Sequence, residues 1–132
     1  ISSLRHIRKV LHKNYLKVLQ KGCCVLNLPQ LFKGYAGRVL DGMAAYVPVL
    51  TWRIENCPKT EQLFIDQKEI VLYDHTRIDE LKNKIQQLNQ DDQLAKTIAT
   101  NAHQKIIQTH TAEKRIDQIY QWIHNGREPI FN

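Results

Sequence analysis

The stretch from Gly37 to Trp52, "GRVLDGMAAYVPVLTW", decides the fold. Residues 38–46 place apolar side chains at helical spacing and predict a short helix. Residues 47–52 form a continuous apolar run, which is typical of a strand covered on both faces, as in a parallel sheet. A helix that leads directly into such a strand indicates an α/β fold.

Two more apolar runs flank this stretch, at 23–29 and 69–74, and each predicts a further buried strand. Because strands alternate with helices, parallel pairing through right-handed crossovers is expected. The sequence predicts one domain, 1–126, with a partial Rossmann-like open sheet of about three strands, flanking helices, a helical C-terminal extension and a tail at 127–132. Helices are predicted at 3–21, 59–66, 76–88, 92–109 and 112–125, in addition to 38–46. Since three strands are few for such a sheet, we expect the chain to be a piece of a larger Rossmann-like lobe.

Glycines and capping residues mark the predicted helix ends. Gly22 and Gly126 follow the first and last helices, where glycine commonly ends a helix. Thr76, with Asp79 three residues later, is close to a capping box and predicts the start of the helix 76–88. The sequence "NQDD" at 89–92 is expected to separate that helix from the next one.

The composition is ordinary for a soluble globular protein, with 42% hydrophobic and 24% charged residues. No apolar run approaches the roughly 20 residues that span a bilayer. The first residues lack the uninterrupted apolar core of a signal peptide. Three cysteines, two of them adjacent, do not make a disulfide framework. We therefore expect a cytoplasmic protein in a reducing setting.

The predicted first helix, 3–21, is strongly basic. It contains six of the lysines and arginines, from Arg5 to Lys21, and no acid, while the whole chain has a net charge of +6. Such a face can attract phosphates, nucleic acid or an anionic membrane surface, and the alternative is a solvated helix face. Nucleic acid is disfavoured because no helix-turn-helix pattern or aromatic-interleaved basic surface is present. Peripheral contact with the inner membrane face stays open.

A glycine-bearing loop after the first strand is the best candidate for a ligand site. Ligands of open parallel sheets bind beyond the carboxyl ends of the strands, where the loop 29–37 lies. This loop leads into a helix N-terminus, which attracts anions through its free N–H groups and its dipole. A carboxylate one turn inside the helix can accept hydrogen bonds from vicinal hydroxyls, so the combination suits a phosphorylated sugar or a nucleotide. The candidate residues are Lys33, Gly34, Gly37, Arg38 and Asp41.

The alternative for this stretch is an ordinary loop followed by a surface aspartate that the helix dipole favours. Trp52 and Glu61 are candidate rim residues, and core packing is the alternative for Trp52. The sequence contains no complete glycine-rich phosphate loop and no metalloprotease motif. The three cysteines lack metal-ligand spacing. No metal and no cofactor is therefore predicted, and no catalytic residue is assigned.

Several short motifs, in order and at the right spacing, carry a family resemblance. Over about residues 15 to 124 the chain resembles the C-terminal, donor-binding lobe of a GT-B glycosyltransferase, of the group 1 type that includes CgeB-like spore-coat proteins. The matching motifs are Asn27, Arg38-Val39-Leu40-Asp41, Ala44-Ala45-Tyr46-Val47-Pro48, Leu63-Phe64, Glu69-Ile70-Val71 and His110-Thr111 with Arg115.

The resemblance implies that the lobe binds the nucleotide part of an NDP-sugar, and that a longer enzyme transfers the sugar to an acceptor that the sequence does not identify. Asp41 would contact the ribose hydroxyls, and Arg38 would lie on the phosphate side. The loop with Lys33, Gly34 and Gly37 would approach the sugar and the phosphates. In such folds helix dipole and cations stabilise the leaving diphosphate without a metal. An N-terminal acceptor lobe of the same polypeptide is the implied partner.

The chain departs from the family pattern at several positions. The family acid is usually Glu, and Asp41 is one methylene shorter. Retaining relatives carry a second Glu where this chain has Lys33, and they often have Gly where it has Tyr46. The Lys/Arg pair that relatives use on the diphosphate comes from an earlier part of the lobe. We therefore expect the fragment alone to be inactive, and a lobe that kept the fold but lost catalysis is an alternative, beside the basic binding module.

Overall fold

The computed structural model describes residues 2–126 and 128, with side chains from residue 5 onward. The predicted alternation of helices and strands is confirmed, and the predicted tail 127–132 lies outside the described residues except for Glu128. In chain order the elements are α1 (Ser2–Leu19), β1 (Val25–Asn27), α2 (Gly37–Ala44), β2 (Val49–Trp52), α3 (Pro58–Glu61), β3 (Val71–Tyr73), α4 (Ile78–Gln90), α5 (Asp92–Thr109) and α6 (Ala112–Asn125).

The three strands form one parallel sheet in the order β1-β2-β3. Leu26 lies opposite Leu50 in β2, and Leu50 lies opposite Val71 in β3. All four residues of β2, the central strand, are buried. The fold class predicted from the continuous apolar runs, a partial Rossmann-like α/β sheet, is therefore confirmed.

The core has two halves, one on each face of the sheet. Successive strand residues point to opposite faces, so Val49 packs in one half and Leu50 in the other. The first half contains Met43 of α2, and the second contains Leu81 of α4. The helix α5 contributes to both. Burial of both faces explains why the strands are continuously apolar rather than alternating.

The predicted boundaries differ from the structure where local hydrogen bonds compete with the regular element. Thr76 does not cap α4, because its N–H and hydroxyl both donate to Asp74 Oδ1, at 2.9 and 2.7 Å. The helix begins two residues later, at Ile78. The "NQDD" break is confirmed as a junction, in which Asp91 caps α5 by accepting from the Leu94 N–H at 2.9 Å. Gly126 is left-handed after α6, as its predicted role requires.

The helix α2 ends before the predicted residue 46 because Tyr46 takes the left-handed conformation, with φ of 58°. Such a φ is costly for a residue with a Cβ, which explains why a glycine suits this position. In compensation, the Tyr46 ring stacks on the His103 ring, with centroids 3.6 Å apart. His103 Nδ1 lies 3.1 Å from the Ala44 carbonyl oxygen, so the stack is attached to the end of α2.

Substitution of Tyr46 separates the cost of its left-handed backbone from the stabilisation by its stack on His103. Tyr46→Ala loses the stack but keeps the strained φ, so we expect the free energy of unfolding to fall by about 1 kcal/mol. Tyr46→Gly also loses the stack but relieves the strain, and it should be about 1 kcal/mol more stable than the alanine variant. Urea denaturation of the two variants measures the difference. Equal stabilities would contradict the strained geometry.

Candidate functional site

A buried polar network lies at the carboxyl edge of the sheet, where the loops emerge. Asn27, the last residue of β1, and Thr51, the last but one of β2, are each 0% exposed. Asn27 Nδ2 donates to Thr51 Oγ1 at 2.8 Å, and the Tyr73 hydroxyl donates to the Asn27 carbonyl oxygen at 3.3 Å. Gln30 Nε2 donates to Asn27 Oδ1 at 3.2 Å. The network joins the three strands and fixes the start of the loop after β1.

Sequence reasoning included Asn27 only as part of a family motif. The signal for its structural role was present: Asn27 and Thr51 are polar residues inside apolar runs, near the carboxyl end of each run. Parallel pairing puts them opposite each other. A polar side chain in such a place needs a hydrogen-bond partner, and the neighbouring strand supplies it.

The loop after β1 reaches across to the loop after β2. Lys33 Nζ donates to the Glu55 carbonyl oxygen at 3.3 Å, which ties the two loops together. Lys33 is nevertheless exposed, so its ammonium group keeps room for a further ligand. Just before it, Leu31 and Phe32 are 93% and 81% exposed. The loop therefore combines a cation with uncovered apolar surface at the predicted ligand edge.

The start of α2 is open to an anion. The N-cap residue, Ala36, has extended backbone and makes no side-chain cap hydrogen bond. No acidic residue lies in the first turn to use the dipole. The N–H of Val39 donates to the Ala36 carbonyl at 2.9 Å, while helix geometry leaves the earlier N–H groups without an intrahelical acceptor. The helix N-terminus therefore keeps its attraction for negative charge.

Arg38 and Asp41 lie three residues apart on α2, so they share the outer face of the helix. The opposite face holds Val39 and Met43, which are fully buried. Arg38 is exposed and Asp41 is half-exposed. Among the residues that the structure describes, neither side chain has a hydrogen bond or an ion pair with another protein group. The cation and the acid are thus brought together next to the open helix N-terminus, and both remain available to a ligand.

A cleft of about 360 Å³ lies beside the loop after β1, and neither Arg38 nor Asp41 is among its lining residues. Tyr35 of the first loop lines it, together with Arg53, Glu61 and Asp66. Arg53 pairs with Asp66 at 3.3 Å. Burial, followed by the nearby carboxylates of Asp66 and Glu61, raises the pKa of Tyr35 to about 12. The phenol therefore stays protonated and can donate a hydrogen bond into the cleft.

The two predicted rim residues have different surroundings. Glu61 lines the cleft, and its Oε1 accepts from the Cys57 N–H at 3.3 Å. Trp52 lies in the core and is only 7% exposed, so its ring faces do not line a rim. Within the described residues its Nε1 is buried and has no hydrogen-bond partner, and the His75 ring stands edge-on to the Trp52 ring, with the ring centroids 5.7 Å apart. For Trp52 the structure favours the core-packing alternative.

The His110 motif joins helices near the core. Arg115 hydrogen-bonds to His110 Nδ1, and the His110 ring lies 5.0 Å from the Phe64 ring. Thr111 caps α6 by accepting from the Lys114 N–H at 3.3 Å. Burial, with the charges of Arg115 and Lys105, lowers the pKa of His110 to about 4. His110 is therefore neutral at pH 7 and accepts a hydrogen bond.

This arrangement predicts a pH dependence of stability. Because the pKa of His110 lies below the ordinary 6.5, the unfolded chain binds this proton first. Its contribution to stability is fully present above about pH 6.5 and is lost as the pH falls toward about 4. We expect His110→Gln to lose less stability than the parent between pH 7 and pH 5 in urea denaturation. An identical loss in both proteins would contradict the assignment.

Metal ligands are not clustered in the described part of the chain. Over residues 2–126 and 128, no group of three or more His, Cys, Asp or Glu side chains could hold a metal ion. Within the same residues, no helix is long and apolar enough to cross a membrane.

These features define a Rossmann-like α/β lobe in which a helix N-terminus without a side-chain cap follows the first strand. The chain matches the model of the glycosyl transferase-like family over residues 3–121, which is most of its length. The chain therefore belongs to this family. No curated protein matches it.

The fold is similar to the crystal structure of the C-terminal domain of a glycosyl transferase group 1 family protein, LpcC, from Francisella tularensis. The TM-score is 0.55 at 17% sequence identity. The match covers 66% of this chain and 44% of the other, so this chain spans less than half of that domain. At this sequence identity the similarity shows a shared fold alone. The resemblance to a GT-B C-terminal lobe is confirmed by family and fold together.

Proposed function

We propose that this lobe binds the nucleotide-diphosphate part of a sugar donor at the start of α2. The single observation that carries the proposal is the pair Arg38 and Asp41, which have no hydrogen bond or ion pair within the described residues, beside a helix N-terminus without a side-chain cap at the carboxyl edge of the sheet. Ligands of open α/β sheets bind at this edge. The family membership supports a glycosyltransferase context.

Each residue has a role that follows from its chemistry. The free N–H groups near Gly37 and the Arg38 guanidinium neutralise the diphosphate. Asp41 accepts hydrogen bonds from the two ribose hydroxyls. The loop with Lys33 and Gly34 lies on the sugar and phosphate side, and Lys33 is already positioned by its bond to the Glu55 carbonyl. This set needs no metal, because helix dipole and cations take up the negative charge.

Sugar transfer would be a property of the longer protein. The acceptor would be bound by an N-terminal lobe of the same polypeptide, so the fragment alone is expected to bind donor without turning it over. One observation favours a second candidate, a lobe that has lost catalysis. Lys33 stands where retaining relatives have an acid, so a contact between an acid at this position and a sugar hydroxyl is missing.

The proposal is tested by donor affinity. Asp41→Ala removes the ribose acceptor, and hydrogen bonds to a charged group are worth about 1.5–3 kcal/mol, so we expect affinity to fall about 10- to 100-fold. Isothermal titration with UDP-, GDP- and TDP-sugars identifies the donor and then measures the loss. Asp79→Ala, on the exposed first turn of α4, is the matched control and should bind like the parent. Equal affinities of the Asp41 and Asp79 variants would refute the site.

A further inference from the structure

An apolar stripe on α1 faces away from the protein. Ile7, Leu11 and Val18 lie four and seven residues apart, which places them on one side of the helix. Their side chains are 49%, 63% and 62% exposed. In a helix attached to a folded domain, a contiguous apolar stripe is normally buried, and an exposed one marks a surface that binds something.

Another side of the same helix attaches it to the domain. Leu16 and Leu19 pack against the core half that contains Met43. Just after the helix, Gln20 Nε2 donates to the Ala45 carbonyl at 3.0 Å. These contacts fix the rotation of α1, so the stripe of Ile7, Leu11 and Val18 cannot turn inward while the attachment is kept.

The charge of the chain is concentrated on α1 and the turn after it. Of the 19 lysines and arginines, six lie there, which leaves 13 for the rest, equal to the 13 acidic residues of the chain. The whole excess of +6 is therefore carried by this segment. Within the described residues, none of these cations takes part in an ion pair. The cations are Arg5, Arg8, Lys9, Lys13, Lys17 and Lys21.

We propose that α1 docks the protein on an anionic lipid surface, with its apolar stripe at the headgroup boundary and its cations among the headgroups. This is the pattern of an interfacial amphipathic helix, which combines apolar burial with attraction to anionic lipid. A second copy of the chain fits the stripe poorly, because two such helices would bring six cations of each against the other. The proposal is independent of the donor site.

Co-sedimentation of the full chain with vesicles tests the proposal. We expect binding to vesicles of phosphatidylcholine with phosphatidylglycerol, and at least about tenfold weaker binding to phosphatidylcholine alone. Binding should weaken as salt is added, because exposed charges are screened. Binding that is absent, or equal for both vesicle types, would overturn the proposal.

Matched variants test the apolar stripe and the cations of α1 separately. Leu11→Glu should reduce binding at least about tenfold, since it removes apolar burial and adds a repelling charge. Ile107→Glu, at an exposed apolar position on α5, should leave it unchanged. The double variant Lys13→Glu with Lys17→Glu should also reduce vesicle binding. Lys82→Glu on α4 should leave vesicle binding unchanged. Circular dichroism checks that each variant is folded. A dimer of the parent that Leu11→Glu dissociates, without vesicle binding, would assign the stripe to a second copy instead, and vesicle binding that is lost in a longer polypeptide would assign it to another part of the same protein.

Discussion

Gly42→Val is expected to lower the free energy of unfolding by about 3 kcal/mol or more, because it overpacks the core. A Cβ at Gly42 would lie 2.9 Å from Val25 Cγ2 and 2.9 Å from Val49 Cγ2. Both neighbours are β-branched, so their side chains have little freedom to move aside. The close approach is what lets α2 lie directly on β1 and β2 and present Arg38 and Asp41 at the sheet edge.

Gly34→Val is the matched control for this prediction. A Cβ at Gly34 meets no atom within 4 Å, and surface substitutions of this kind usually change stability by less than about 0.5 kcal/mol. Urea denaturation of the two variants gives the comparison directly. A stable Gly42→Val protein, with a denaturation midpoint like that of Gly34→Val, would show that α2 does not lie as close to the strands as the structure has it.

Asn27→Leu is expected to cost about 1–3 kcal/mol, because it leaves Thr51 Oγ1 buried without its donor. The loop after β1 would also lose the bond from Gln30 to Asn27 Oδ1. We therefore expect weaker donor binding in addition to lower stability, as the loop that carries Lys33 loses its fixed start. Urea denaturation and titration with the donor measure the two effects separately.

The double variant Asn27→Leu with Thr51→Val distinguishes the role of Asn27 in core stability from its role in positioning the loop after β1. Replacing both partners of a buried hydrogen bond by apolar groups is often nearly neutral, so much of the stability should return. Donor affinity should stay low, because the anchor of Gln30 is still missing. Recovery of both stability and affinity would contradict a positioning role for Asn27, and recovery of neither would show that the loss came from packing alone.

The sheet and its connections could be predicted because strands that are buried on both faces appear in the sequence as apolar runs. A strand between two helical layers must be largely apolar, as 47–52 is apart from Thr51. Element ends were harder, because they depend on local hydrogen bonds. The predicted helix 59–66 stops at Glu61. Asp66 instead pairs with Ile70 in an isolated bridge, and its side chain accepts from the Leu72 N–H at 2.8 Å.

The exposure of α1 could not be read from its periodicity. An apolar stripe at helical spacing predicts burial, but it does not say whether the partner lies within the same chain. The structure uses Leu16 and Leu19 for attachment and leaves Ile7, Leu11 and Val18 uncovered. Only the position of the helix on the domain distinguishes the two sides.

For the candidate site, the sequence predicted the helix and its two charged residues but not the surroundings. The placement of Arg38 and Asp41 follows from the three-residue spacing alone. The cleft beside Tyr35 and the hydrogen bond from Lys33 to Glu55 depend on how two separate loops meet. Such contacts between distant segments leave no pattern in a single sequence. The ring of Trp52 was a rim candidate because it ends a strand, yet its side chain faces the core.

The central claim is that a nucleotide-diphosphate sugar binds at the start of α2. Amide NMR of the labelled chain, titrated with UDP-, GDP- and TDP-sugars, tests it most directly. We expect one of these donors to shift the amides of residues 33–41 first, and the same shifts in Asp41→Ala should need about 10- to 100-fold more donor. Saturating donor that leaves residues 33–41 unshifted, or shifts that reach half their final size at the same donor concentration in Asp41→Ala as in the parent, would contradict the claim.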